Sequence, residues 1–69
     1  MMRLTAMREQ RRWSRAELAR RARMGNADVG RIEARRLVAY PGQLVKLAGA
    51  LGWPGDPAAL LEELDDARD

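Results

Sequence analysis

Residues 14–34 read SRAELARRARMGNADVGRIEA, and the reading of this stretch decides the fold. Ser14-Arg15-Ala16-Glu17 has the form of a capping box. The Ser14 hydroxyl is placed to accept from the Glu17 backbone N–H, and the Glu17 carboxylate to reach back to the N–H of Ser14. Trp13 stands just before the cap and Leu18 four positions into the helix, the two places of a hydrophobic staple. The helix that starts here, expected over about residues 14–22, turns Leu18, Ala19 and Ala22 to one side. Arg23-Met24-Gly25-Asn26 then breaks the pattern. Gly25 suits a positive φ or a neutral cap, and Asn26 is itself a good N-cap. Val29 and Ile32, three residues apart, carry a further helix over about 26–34. The stretch is therefore read as two short helices joined by a tight turn that contains glycine, and the small residues Ala19 and Ala22 let them approach closely.

Working outward, Leu4 and Met7 give an apolar face to a first helix over about 4–12, with arginines on its other side. Beyond the central stretch, an extended loop from Arg35 to Tyr40 leads to Pro41, which fits the first turn of a helix over about 41–51. Leu44, Leu47, Ala48 and Leu51 form its i, i+3, i+4, i+7 stripe, and Gly52 stops it. Asp56-Pro57 supplies an N-cap and a first-turn proline for a fifth helix over about 57–65, with Leu60, Leu61 and Leu64 as its apolar side. No stretch alternates apolar and polar residues as a strand does, and the aromatics are Trp13, Trp53 and Tyr40 alone. The expectation is a single all-α domain over residues 1–69, compact and built of five short helices. At 69 residues the chain is too short for a second domain, and its core is small.

Composition narrows the function. There is no cysteine and no histidine, so disulfides, the usual zinc and haem sites, and catalysis by Ser–His or Cys–His pairs are excluded. Carboxylates stand side by side at Glu62/Glu63 and Asp65/Asp66, but consecutive helical positions point about 100° apart and do not converge on a substrate. No enzyme is expected, and no metal or cofactor. No apolar run approaches the roughly 20 residues of a membrane helix. The opening MMRLTAMREQ has no apolar core of a secretory signal, so the expected location is the cytoplasm. Charge is unevenly shared: residues 1–36 hold 11 arginines against four acids, and residues 37–69 hold Lys46 and Arg68 against six acids. A basic half beside an acidic one suggests a polyanion on one face, or else a solvated helical surface.

Taken in order, Leu4-x-x-Met7-Arg8, Trp13-Ser14-x-x-Glu17-Leu18-Ala19, Val29-x-x-Ile32-Glu33, Pro41 and Leu44-x-x-Leu47-Ala48-x-x-Leu51-Gly52 resemble the phage repressor/Cro (XRE-type) helix-turn-helix family. The resemblance runs from about Leu4 to Leu61. The chain departs from the family's pattern at Arg15, where Gln is usual, and at Arg23 and Arg35, each in place of a customary Gly. It departs again at Gly25, in place of a Ser or Thr cap, and at Gly30 inside the third helix.

The resemblance implies that the third helix docks in the major groove with its N-terminal end toward the base edges. Carried over by position, the base-facing residues are Asn26, Ala27, Asp28, Gly30 and Arg31. Arginine pairs with guanine, asparagine with adenine, and alanine touches a thymine methyl. Arg31 is the first choice among them. Asn26 also has a reading as a helix cap, and Asp28 one as a first-turn acid favoured by the macrodipole. Phosphate contacts are expected from Arg15, Arg35 and Arg36, with backbone N–H groups near Ser14 and Gln43. Arg8 and Glu33 match the family's internal ion pair and are read as structural. Trp53 is read as core or, with Leu60, Leu61 and Leu64, as part of a dimer contact.

The function so implied is a sequence-specific double-stranded-DNA-binding transcription regulator. It would be a repressor acting as a homodimer on an inverted repeat. The alternative is a protein-binding adaptor or antitoxin-type partner protein on the same fold.

Overall fold

The computed structural model describes residues 1–64; Asp65, the last residue of the expected fifth helix, lies outside the described residues. Four α-helices follow one another: α1 (Arg3–Gln10), α2 (Arg15–Ala22), α3 (Asn26–Glu33) and α4 (Pro41–Leu51). A turn of 3-10 helix, Pro57–Leu61, completes the order. There is no strand among the described residues beyond one isolated antiparallel bridge, Met2 to Glu63.

Helix α2 starts where the capping signal puts it. Ser14 Oγ accepts from the Glu17 N–H at 3.0 Å. The other half of the expected box is missing, because the Glu17 carboxylate is taken by Arg20 Nη2 at 2.5 Å and Arg21 Nε at 2.6 Å. Charged donors three and four residues ahead outcompete a single neutral N–H. The two arginines hold the Glu17 carboxyl below the ordinary carboxylate range, Arg20 more than Arg21.

The four helices end alike, in a Schellman motif whose pivotal residue takes the left-handed conformation. The bond that closes each motif runs from Trp13 N–H to Arg8 O (3.2 Å), Met24 to Ala19 (2.9 Å), Arg36 to Arg31 (2.8 Å) and Trp53 to Ala48 (2.9 Å). The pivots are Arg12 (φ 58°), Arg23 (φ 57°), Arg35 (φ 61°) and Gly52 (φ 67°). Two expectations are corrected here. α1 stops at Gln10 and not near residue 12, since Arg12 is already the pivot. The positive φ of the central turn falls on Arg23, and of the two readings of Gly25 the neutral cap holds: it is extended (φ −69°) and is the N-cap of α3, so Asn26 is the first residue of that helix and does not cap it.

The fifth helix is also corrected. Asp56 caps it as expected, its Oδ1 accepting from Ala58 N–H at 3.0 Å. The helix is nevertheless 3-10 and ends at Leu61, after which Glu62 is extended. Arg3 N–H donates to Glu62 O and Leu64 N–H to Met1 O, both at 2.8 Å. Pairing with the start of the chain satisfies backbone groups that a longer helix would have used.

Leu4, Leu18, Val29, Ile32, Leu47, Leu51 and Leu60 form the centre of the core, each under 2 % exposed. α2 packs on α3 and α4, and the 3-10 turn packs on α4 and α1. Trp13 and Met7 close the edges of this core. Among the described residues no helix is long and apolar enough to cross a membrane.

Candidate nucleic-acid interface

Val29 and Ile32 bury one side of α3 completely, and that fixes what its other side presents. Asn26, Ala27 and Arg31 are exposed, and Gly30 is half-buried. Among the described residues Arg31 reaches only its own helix: Nη1 lies 3.4 Å from Asp28 Oδ1, with the arginine side chain 60 % exposed. A contact of that length between exposed groups is weak and readily exchanged for another anion. Asp28 sits in the first turn, where the helix dipole favours an acid.

A tighter network joins α3 to α1 and α2. Glu33 accepts from Arg8 Nε at 2.8 Å and Arg8 Nη2 at 3.0 Å. Arg8 Nη1 goes on to Trp13 O at 2.8 Å, tying in the loop before α2. Hydrogen bonding to Glu33 raises the Arg8 pKa above its ordinary value, against the opposing effect of burial. Arg15, the first residue of α2, adds a third donor to the same carboxylate, Nε to Oε1 at 3.2 Å.

The other expected phosphate contacts divide. Arg36 is exposed and has no acidic partner among the described residues. Arg35 is exposed too, but its guanidinium is hydrogen-bonded to Glu63. Glu63 also pairs with the N-terminal amino group, and the amino group and then Arg35 lower its pKa. Gln43 is corrected: it is buried, its Oε1 accepts from Tyr40 N–H at 3.2 Å, and its own N–H is bonded to Tyr40 O at 2.9 Å. It completes the capping box at Tyr40, the N-cap of α4, and neither its side chain nor its N–H is available to a phosphate.

Other arginines support the structure. Arg11 donates to Met7 O at 3.0 Å and Leu51 O at 2.6 Å, joining the ends of α1 and α4. The guanidiniums of Arg21 and Arg11 lie over the Trp13 ring, 4.3 and 5.7 Å from its centre. Among the described residues no group of His, Cys, Asp and Glu side chains could hold a metal ion.

Two short helices thus pack through small buried residues, turn at Arg23–Gly25, and expose a polar face on the second. The chain belongs to the helix-turn-helix domain family. The match to that family covers residues 2–61, from the first helix through the 3-10 turn. Neither the curated proteins nor the solved structures give a match. A helix-turn-helix domain is a DNA-binding module of two helices joined by a tight turn, here α2 and α3.

The residues expected at a dimer contact of this helix-turn-helix domain differ in exposure. Leu60 is fully buried and is corrected to core. Trp53 packs against the core, donates from Nε1 to Asp56 O at 3.0 Å, and carries the Arg3 guanidinium 5.1 Å above its ring. Leu61 and Leu64 are half-buried. The large apolar side chains that are exposed are instead Val38, Tyr40 and Val45, besides Met1. Val45 flanks a groove of about 360 Å³ lined by Pro41, Leu44, Asp56, Pro57 and Ala58. The sequence carried a signal for Val45: it is the apolar residue of α4 that falls off the Leu44–Leu51 stripe.

Proposed function

We propose that this helix-turn-helix domain is a sequence-specific double-stranded-DNA-binding transcription regulator of the phage repressor type, acting as a repressor. The observation that carries the reading is the face of α3: Asn26, Ala27 and Arg31 exposed on a helix anchored by Val29 and Ile32. In this reading α3 enters the major groove, Arg31 pairs with a guanine and Asn26 with an adenine, and Arg15, Arg35 and Arg36 hold phosphates. A homodimer on an inverted repeat places two such helices about 34 Å apart.

Selection from a pool of random duplexes at near-physiological salt tests this. The expected result is an inverted repeat with half-sites one helical turn apart, and a guanine that is no longer selected by Arg31→Ala. Enrichment of no sequence at all overturns it.

One observation favours a second reading, a protein-binding adaptor or antitoxin-type partner. Val38, Tyr40 and Val45 expose an apolar surface that DNA does not need. Co-purification of a partner that Val45→Asp releases, without change in DNA binding, would support that role.

A further inference from the structure

Glu33 is one carboxylate between two arginines from different helices. Its side chain is 2 % exposed, and it takes two bonds from Arg8 and one from Arg15. Arg8 has a second acid beside it, Glu9 at 3.7 Å, whereas Arg15 has Glu33. The Arg15 side chain is 59 % exposed against 10 % for Arg8, so it is the guanidinium open to a further anion.

The way Arg15 is held matters. It is bound through Nε, the innermost guanidinium nitrogen, which fixes the plane of the group and leaves both outer nitrogens able to donate. Its stem runs past Gly30, where an added Cβ would stand 3.9 Å from Arg15 Cδ. Gly30 and Glu33 are three residues apart on one face of α3. A side chain that starts on α2 is thus laid along α3.

We infer that Glu33 is a positioning residue for Arg15, pinning its guanidinium to α3 so that the outer nitrogens meet a DNA phosphate in fixed register with Asn26 and Arg31. The inference rests on the DNA-binding reading above. An arginine already held in place has less side-chain freedom to lose when the phosphate arrives. Lysine carries the same charge but is a single ammonium, which either stays on Glu33 or goes to the phosphate.

The test compares the wild type with Arg15→Lys and Arg15→Ala on the selected duplex between 50 and 200 mM salt. Arg15→Ala is expected to lower the slope of log affinity against log salt by about 0.9, the value of one phosphate contact. Arg15→Lys is expected to bind within about twofold of Arg15→Ala, since charge alone does not replace the pinned fork. Both variants leave the Arg8–Glu33 bonds in place, and their thermal unfolding checks that they fold.

Wild-type affinity and slope in Arg15→Lys overturn the inference. The pin itself is read without DNA, as a slowly exchanging Arg15 Nε–H resonance in ¹⁵N spectra, assigned by its loss in Arg15→Lys. Absence of that resonance from the wild type overturns the inference whatever the DNA result. Its presence in a protein that binds no duplex overturns the DNA reading, and the assigned role with it.

Discussion

Arg8 and Glu33 bury opposite charges with side chains 10 % and 2 % exposed, and two hydrogen bonds between them compensate the lost water. Truncating one partner leaves the other charged in a site built for a pair, at a cost of about 3–5 kcal/mol. Arg8→Ala is therefore expected to lower the free energy of unfolding by about that amount, read from the urea midpoint. Gly30→Ala has the opposite sign. The new methyl meets Arg15 Cδ at an ordinary van der Waals distance of 3.9 Å. The helix gains up to about 1 kcal/mol from replacing glycine in its interior. A rise in the thermal midpoint with weaker DNA binding would place Gly30 or the adjoining Arg15 stem in the interface; a rise with unchanged binding would remove Gly30 from it. Arg8 and Glu33 were legible in the sequence through the family resemblance. The third donor was not, because Arg15 stands 18 residues from Glu33 and no local pattern links them.

At the scale of the element, three of the four helices end on an arginine in the left-handed conformation, and only α4 ends on glycine. That conformation costs an L-residue about 1–2 kcal/mol, part of which glycine gives back through its freer unfolded chain, about 0.4–1 kcal/mol. Arg23→Gly removes a side chain with no acidic partner among the described residues. It is expected to stabilise the domain by about 0.5–1 kcal/mol, which calorimetry would register as a thermal midpoint higher by about 2–8 °C. An unchanged or lower midpoint would mean that the Arg23 stem contributes packing. The cap of α2, the first-turn proline of α4 and the buried faces of α2, α3 and α4 were legible because such signals are local. The last element was legible only at its start. Asp56-Pro57 announces an α-helix and a 3-10 turn equally, and what ends the turn is backbone pairing with residues some 60 positions away.

Across the whole molecule, the acids are placed to hold the arginines. Glu17 serves Arg20 and Arg21, Glu33 serves Arg8 and Arg15, and Glu63 serves the N-terminal amino group and Arg35. Glu17 and Glu63 both titrate below the ordinary glutamate value of 4.5 in the folded chain. A carboxyl with a lowered folded pKa stabilises the fold above its unfolded value, and the contribution is lost as pH falls through the folded one. Thermal midpoints are therefore expected to fall below about pH 4.5, and to fall less at high salt because both groups are exposed. With no histidine in the chain, midpoints between pH 5.5 and 7 are expected to be level. A slope in that interval would require a group that titrates far from its ordinary range. The basic and acidic halves that the sequence displays are thus partly neutralised in space, which charge counting along the chain does not reveal.

The pairing of Met1–Arg3 with Glu62–Leu64 also has a consequence for the order of events in folding. A bond from Arg3 to Glu62 closes almost the whole described chain into a loop, and such closure carries the largest entropic cost if it comes early. Once α1, α4 and the 3-10 turn have docked, the two segments already lie side by side and the cost has fallen. This clasp is therefore expected to form after the rate-limiting step. Glu63→Ala, which removes the carboxylate shared by the amino group and Arg35, is expected to enlarge the population of opened molecules by raising the unfolding rate while leaving the refolding rate unchanged in stopped-flow measurements. A slowed refolding limb would instead put the clasp in the nucleus. The last contact to form is then the first to open, and the time for which the domain stays closed is set at its ends, apart from the surface of α3.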